Sequence, residues 1–223
     1  MKEDRTELVF ILDRSGSMGG LEDDTIGGFN GMIKKQKEEC KNVSVTTVLF
    51  DDKVDIIHDR FPIEIVEPLT SKDYFVRGCT ALLDAVGEAI RKIENVEEHL
   101  PENNKADKII FVITTDGHEN SSKYYSYNQI RRTIEAKKEI GWEFLFLGAN
   151  MDAVTEAEKI GISRNRAATY KNDSRGVKLN YETMGKTLRF AISTPTSCKR
   201  PVIRDDWSAE IDNYHKSKSK KNG

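Results

Sequence analysis

Three short apolar runs constrain this chain more than any other feature: LVFIL at residues 8–12, KIIFVIT at 108–114 and EFLFL at 143–147. A run without polar alternation has to be buried on both faces, a demand met by strands of a parallel sheet covered with helices on each side. Between the runs lie segments whose apolar residues repeat at helical spacing. They are Ile26, Phe29, Met32 and Ile33 in the first, and Leu82, Leu83, Val86, Ile90 and Ile93 in the second. Asp23 or Thr25 is expected to cap the first helix. Further helices are expected at about 128–140, closed by Gly141, and at 153–160, capped by Asp152 and ended by Gly161. Asp173 or Ser174 opens a last one through Val177, Leu179, Met184, Leu188, Phe190 and Ile192. The β-branched runs 43–50 and 54–57, parted by Asp51-Asp52-Lys53, predict an antiparallel hairpin, and 167–170 a short final strand. The alternation predicts a three-layer, doubly wound α/β fold whose central sheet is mostly parallel with one antiparallel edge strand.

Length and composition bound the rest. The 223 residues suit one large domain plus an appendage, expected at 1–194 and 195–223. The second segment reads as a partly disordered tail with a basic end, KSKSKKNG at 216–223, although Trp207, Ile211 and Tyr214 give it a means of docking as a helical turn or two. No stretch approaches the roughly 18–20 consecutive apolar residues of a membrane span. The first apolar run is too short for a signal sequence, so a cytoplasmic location is expected. Cys40, Cys79 and Cys198 are odd in number and widely spaced, which predicts reduced thiols. With 35 Lys+Arg against 37 Asp+Glu and no aromatics among the lysines of the basic end, nucleic acid is not the expected partner; that end reads as solubilising.

In an open α/β sheet, ligands gather where loops leave the carboxyl ends of the strands. The loop after residue 12 reads Asp13-Arg14-Ser15-Gly16-Ser17, the loop after 114 carries Asp116-Gly117, and Thr80 stands just before the second helix. Two hydroxyls spaced two apart on a tight turn, with Gly16 letting the backbone bend between them, can face one point. Thr80 adds a third hydroxyl, and Asp13 and Asp116 add two negative charges. An all-oxygen set with several neutral members suits Mg²⁺ or Mn²⁺ better than Zn²⁺. Having few anionic ligands, the ion would stay electron-poor and favour a carboxylate from a partner. The plain alternative is a set of helix-capping turns. Arg14 and Met18 flank the metal loop, and the sequence leaves open whether they touch a partner; His118 reads as a loop bystander ahead of a ligand contact or a general base, Glu119 and Asn120 either shape a rim or are simply solvated, and Cys79 is expected to pack half-buried.

These residues resemble the von Willebrand factor type A domains, whose metal-ion-dependent adhesion site combines D-x-S-x-S, a Thr and an Asp-Gly. Asp13, Ser15, Ser17, Thr80 and Asp116 meet all five positions, over a resemblance spanning roughly 7–192. It implies that the serines and either Thr80 or Asp116 ligate the metal directly, with Asp13 and the remaining group acting through water. More narrowly, residues 76–85, 116–120 and 141–152 look like intracellular bacterial and bacteriophage members. The family role implied is metal-dependent protein binding without catalysis, an Asp or Glu of the partner completing the site. The enzyme motifs fail: Ser15 stands where a G-x-S-x-G elbow around Ser17 needs glycine, and where an aspartyl phosphotransferase would place its second Asp. A Mg²⁺-dependent hydrolase of phosphate esters and a structural component of a phage or bacterial assembly are the alternatives carried forward.

Overall fold

A computed structural model describes residues 4–149, 152–195 and 200–219. Cys198, the Asn150-Met151 pair of the third resembling segment and the end of the basic run, Lys220 to Gly223, lie outside the described residues. The strands are β1 (Thr6–Asp13), β2 (Val43–Phe50), β3 (Val54–Pro62), β4 (Lys108–Thr115), β5 (Glu143–Ala149) and β6 (Ala167–Tyr170). The helices are α1 (Glu22–Glu39), α2 (Leu82–His99), α3 (Tyr127–Glu139), α4 (Ala153–Lys159), α5 (Ser174–Ser193) and α6 (Ala209–Ser219). The strands form one sheet in the order β3-β2-β1-β4-β5-β6. All neighbours pair parallel except β2 and β3, so β3 is the antiparallel edge expected from the sequence.

Every residue of β1 and β4 is buried, the physical content of the apolar runs. Alternate side chains divide between two cores. Leu8, Phe10, Leu12, Ile110 and Val112 face Phe29 and Met32 of α1 and Met184 and Leu188 of α5. Val9, Ile11, Phe111 and Ile113 face Val86 and Ile90 of α2 and Ile130 and Ile134 of α3. Burying each such side chain contributes about 1.5–3 kcal/mol, and filling both faces holds the sheet as the middle layer. Lys108 is the exception that completes the pattern. Its wholly buried side chain donates through Nζ to the carbonyls of Ile192 (2.6 Å) and Thr194 (2.7 Å), satisfying the end of α5, and pairs with Asp4.

Asp152 and Asp173 cap α4 and α5 as expected, accepting from the backbone N–H of Thr155 (3.2 Å) and Gly176 (2.7 Å). The first helix departs from expectation. It starts at Glu22 with Leu21 in the cap position and no capping side chain, leaving Asp23 and Thr25 inside the helix. Buried Leu21 and Thr25 anchor its start on the core, while Glu22, Asp23 and Asp24 occupy the first turn, where negative charge is favoured. β3 runs on to Pro62, past the expected residue 57, because a bulge against β2 and a left-handed Arg60 (φ 52) bend it around the edge.

Beyond Thr194, Ile203, Trp207 and Ile211 join the core on the α1–α5 side of the sheet, and α6 packs on β6 and α5. Trp207 Nε1 donates to the carbonyl of Asn165 (2.9 Å). Trp207→Ala should therefore lower the unfolding free energy by about 3–5 kcal/mol. A urea titration read by circular dichroism checks this, and an unchanged midpoint would show that this segment lies outside the cooperative unit.

Candidate metal centre

β1 and β4 are parallel neighbours in a register that sets Leu12 beside Thr114, so Asp13 and Thr115 end their strands side by side. The Asp13 carboxylate is buried there. Its Oδ1 accepts the backbone N–H of Ser15 (2.7 Å) and its Oδ2 the hydroxyl of Thr115 (2.6 Å), while Tyr74 donates its hydroxyl to the Asp13 carbonyl (2.6 Å). Burial raises the Asp13 pKa from 3.8 to about 6, against the hydrogen bonds from Thr115 and Ser15 and with a smaller push from Asp116.

Ser15 then opens a single 3-10 turn, Gly16–Met18, that turns the serine hydroxyls toward each other at 3.0 Å. Thr80 donates to Ser15 Oγ at 3.1 Å, and Ser17 donates to Asp116 Oδ1 at 2.5 Å. Thr80, Ser15, Ser17 and Asp116 thus form one contiguous chain of oxygens, with Asp13 holding it from below. Gly117 is required at its position, since a Cβ there would lie 2.8 Å from Thr80 Oγ1 and 3.2 Å from Ser17 Oγ. Gly16, by contrast, is not among the residues with positive φ, so the serine turn does not use the glycine freedom expected of it; the left-handed residue at the site is Gly78 (φ 64), whose carbonyl accepts from the Gly16 N–H.

The loops are locked by side chains that the sequence did not single out as supports. Asn120 Oδ1 accepts the Thr80 N–H (2.9 Å) and the Asn120 N–H returns to the Thr80 carbonyl (3.1 Å). Glu119 accepts the N–H groups of Leu83, Ser121 and Ser122, tying this loop to the start of α2, so it is a structural anchor. Asn172, between β6 and α5, donates Nδ2 to Asp116 Oδ2 (3.2 Å), while its own Oδ1 is buried without a partner. It lies 56 residues from Asp116, and no spacing motif marks it. The question left open at Arg14 and Met18 is answered by their burial, which makes them unavailable to a partner, and the expectation for Cys79 is corrected, since it is exposed. Arg14 points away from the oxygens to Asp51 (2.8 Å) and Asp55, and His118 turns to Glu156 (3.4 Å).

Neither Asp13 nor Asp116 forms an ion pair among the described residues, and burial raises the Asp116 pKa as well, against hydrogen bonds from Ser17 and Asn172. Two buried carboxylates, three hydroxyls and no compensating cation fit a hard divalent ion. No group of three or more His, Cys, Asp or Glu side chains placed for a metal occurs among the described residues, so a site here draws on hydroxyls.

No family model and no curated protein matches the chain. Solved structures do. The PilB minor pilin of Streptococcus sanguinis superposes with a TM-score of 0.60 at 14% identity, over 87% of this chain and 64% of the pilin. A von Willebrand factor type A protein from Catenulispora acidiphila follows with 0.58 at 14%, over 85% of this chain and 44% of that one. Proximal thread matrix protein 1 of the mussel byssus, with a zinc-occupied MIDAS motif, gives 0.55 at 15%, over 84% and 46%. The fold is von Willebrand factor type A-like. The chain spans less than two thirds of the length of each of these proteins.

The raised Asp13 pKa carries a pH signature. The folded chain holds this proton up to about pH 6 and the unfolded chain only to about 3.8, so the associated stability is full below the lower value and lost as pH rises through the higher. In chelator, the loss is on the order of 3 kcal/mol between about pH 4 and pH 7. Asp13→Asn should flatten this component and melt above the wild type at neutral pH without metal. Parallel melting curves for the two proteins across that range would refute the assignment.

Proposed function

We propose that this protein is a divalent-metal-dependent protein-binding module whose site is completed by an Asp or Glu carboxylate of its partner. The observation that carries this reading is the convergence of Asp13, Ser15, Ser17, Thr80 and Asp116 from three loops at one end of the sheet, with two buried acids that form no ion pair among the described residues. Ser15 and Ser17, with Thr80 or Asp116, are the direct ligands, and Asp13 acts through water; Mg²⁺ or Mn²⁺ is the ion these oxygens suit. When bound, the ion supplies an electron-poor position that takes an anionic oxygen.

The chain's own residues do the positioning. Thr115 and the Ser15 N–H orient Asp13, Asn120 fixes Thr80, and Asn172 and Ser17 hold the two oxygens of Asp116. Asp84 accepts the N–H groups of Lys123, Tyr124 and Tyr125 and so stiffens the loop that carries Asp116. Rigid support of this kind lowers the cost of ordering the ligands when the ion arrives. The zinc-occupied MIDAS motif of the mussel matrix protein supports metal use on this fold, and the pilin supports a role in protein contacts. On this reading the module acts by binding rather than by turnover.

Calorimetric titration with Mg²⁺ and Mn²⁺ tests the reading. Saturating ion should raise the unfolding free energy by about 2.7 kcal/mol at one hundred times the dissociation constant. Thr80→Ala and Asp116→Ala should each abolish that gain while circular dichroism stays unchanged. Retained ion binding in both variants would sink the site, and Mg²⁺-dependent turnover of phosphate esters lost in Asp116→Ala would replace the binding reading with the hydrolase.

A further inference from the structure

The turn between β6 and α5 brings a fourth loop to the candidate metal centre. β4, β5 and β6 run parallel, with Thr115 beside Gly148 and Ala149 beside Tyr170, so the chain leaving Tyr170 emerges at the same end of the sheet as the chain leaving Thr115. This turn is closed on itself. The Asp173 N–H donates to the Lys171 carbonyl (2.9 Å), and Asp173 Oδ1 accepts the Gly176 N–H (2.7 Å) and the Tyr214 hydroxyl (3.1 Å). Gly176 is required there, since a Cβ would overlap the Lys171 carbonyl. Asn172 thus stands inside an anchored turn with its side chain at Asp116.

The two ends of the Asn172 amide are treated differently. Nδ2 donates to Asp116 Oδ2 (3.2 Å), and chemistry fixes that orientation, because an ionised carboxylate accepts hydrogen bonds and donates none. Oδ1 is left buried with no partner among the described residues. A buried acceptor without a donor is costly and marks a missing partner. The hydroxyls of the centre cannot be that partner. Ser17 donates to Asp116 Oδ1 (2.5 Å) and Thr80 to Ser15 Oγ (3.1 Å), so the remaining hydroxyl proton, that of Ser15, goes to Ser17 (3.0 Å). Asp13 and Asp116, when ionised, have none to give. A divalent ion of the kind these oxygens suit supplies the donor, because Mg²⁺ gives up its waters reluctantly and keeps several in protein sites. The ion draws electron density from such a water and makes it a stronger donor.

We propose that Asn172 is a sixth residue of the metal centre, a positioning residue that holds Asp116 through Nδ2 and a water of the bound ion through Oδ1. This rests on the metal-dependent reading above and adds to it the group that orients the ion's water. A planar amide fixed at both ends sets the direction of that water relative to Asp116. It does so without adding charge, which keeps the ion electron-poor for the carboxylate of a partner, whereas an acid at this position would weaken that attraction. Groups that orient metal ligands from the next layer out are typically worth about 10–100-fold in metal affinity.

The test is calorimetric titration of the full chain with Mg²⁺, comparing the wild type with Asn172→Leu, which keeps the side-chain volume and removes both hydrogen-bonding ends. Asn172→Ala carries the same test if the leucine variant does not fold. The variant should bind Mg²⁺ about tenfold more weakly. In the Mn²⁺ complex, nuclear relaxation of the solvent oxygen reads how long a water stays on the ion, and that residence time should shorten in the variant. A purely structural role would change stability in chelator and leave the residence time as it is. Mg²⁺ affinity equal to the wild type, or an unchanged water residence time, would overturn the proposal while leaving the five-residue centre standing. Absence of Mg²⁺ binding by the wild type would instead overturn the reading on which it rests.

Discussion

The buried carboxylate of Asp13 is where fold and site constrain each other. It ends a strand with no exposed residue, beside a second such strand, and is held by the Ser15 N–H and the Thr115 hydroxyl. Those two bonds set the direction in which the chain leaves β1 and join it to the end of β4. The orientation of Ser15 and Ser17, and so the line of oxygens reaching Asp116, follows from that departure. An unfilled negative charge in such a place is costly, which is why burial outweighs the hydrogen bonds in its pKa. The centre is therefore a locus of stored instability that a cation would relieve.

A second buried charge braces the same loop from the other side. Arg14 is enclosed between Asp51, Asp55 and the ring of Phe75, which Arg77 also covers at 5.1 Å. Burial opposes ionisation of Asp51, but hydrogen bonds led by Arg77 outweigh it and hold the carboxyl below its ordinary value. The Arg77 N–H donates to the Arg14 carbonyl and the Ala81 N–H to that of Asp51. The segment carrying Thr80 is thus stitched to the β2–β3 turn and to the serine loop at once. Breaking a buried pair of this kind typically costs 3–5 kcal/mol, more than any surface pair in the chain can contribute.

Much of this was legible from residue order. The unalternating runs around Leu8 and Ile110 identified doubly buried strands because every position of a central parallel strand meets a helix on one side or the other. The caps Asp152 and Asp173 were legible because they bond to an N–H three residues ahead. The first helix was misread at its start because buried Leu21 and Thr25 replace a local cap with a tertiary anchor. Arg14 was left open for a related reason: a loop residue between two site residues has no signature of burial when its partner, Asp51, lies 37 positions away.

The sequence by itself determined the alternation of strands and helices, the antiparallel edge, and the five oxygen-bearing positions in three separate loops, since periodicity and short motifs are set by contacts within a few residues. Only the tertiary structure decided that Asn172 holds Asp116, that Lys108 closes the end of α5, and that α6 packs back along β6 until Tyr214 reaches Asp173, the cap of α5. Each of these joins groups 56 or more residues apart, or rests on the direction in which a helix crosses the sheet. Such pairings depend on which surfaces pack together, and no local pattern of residues encodes that.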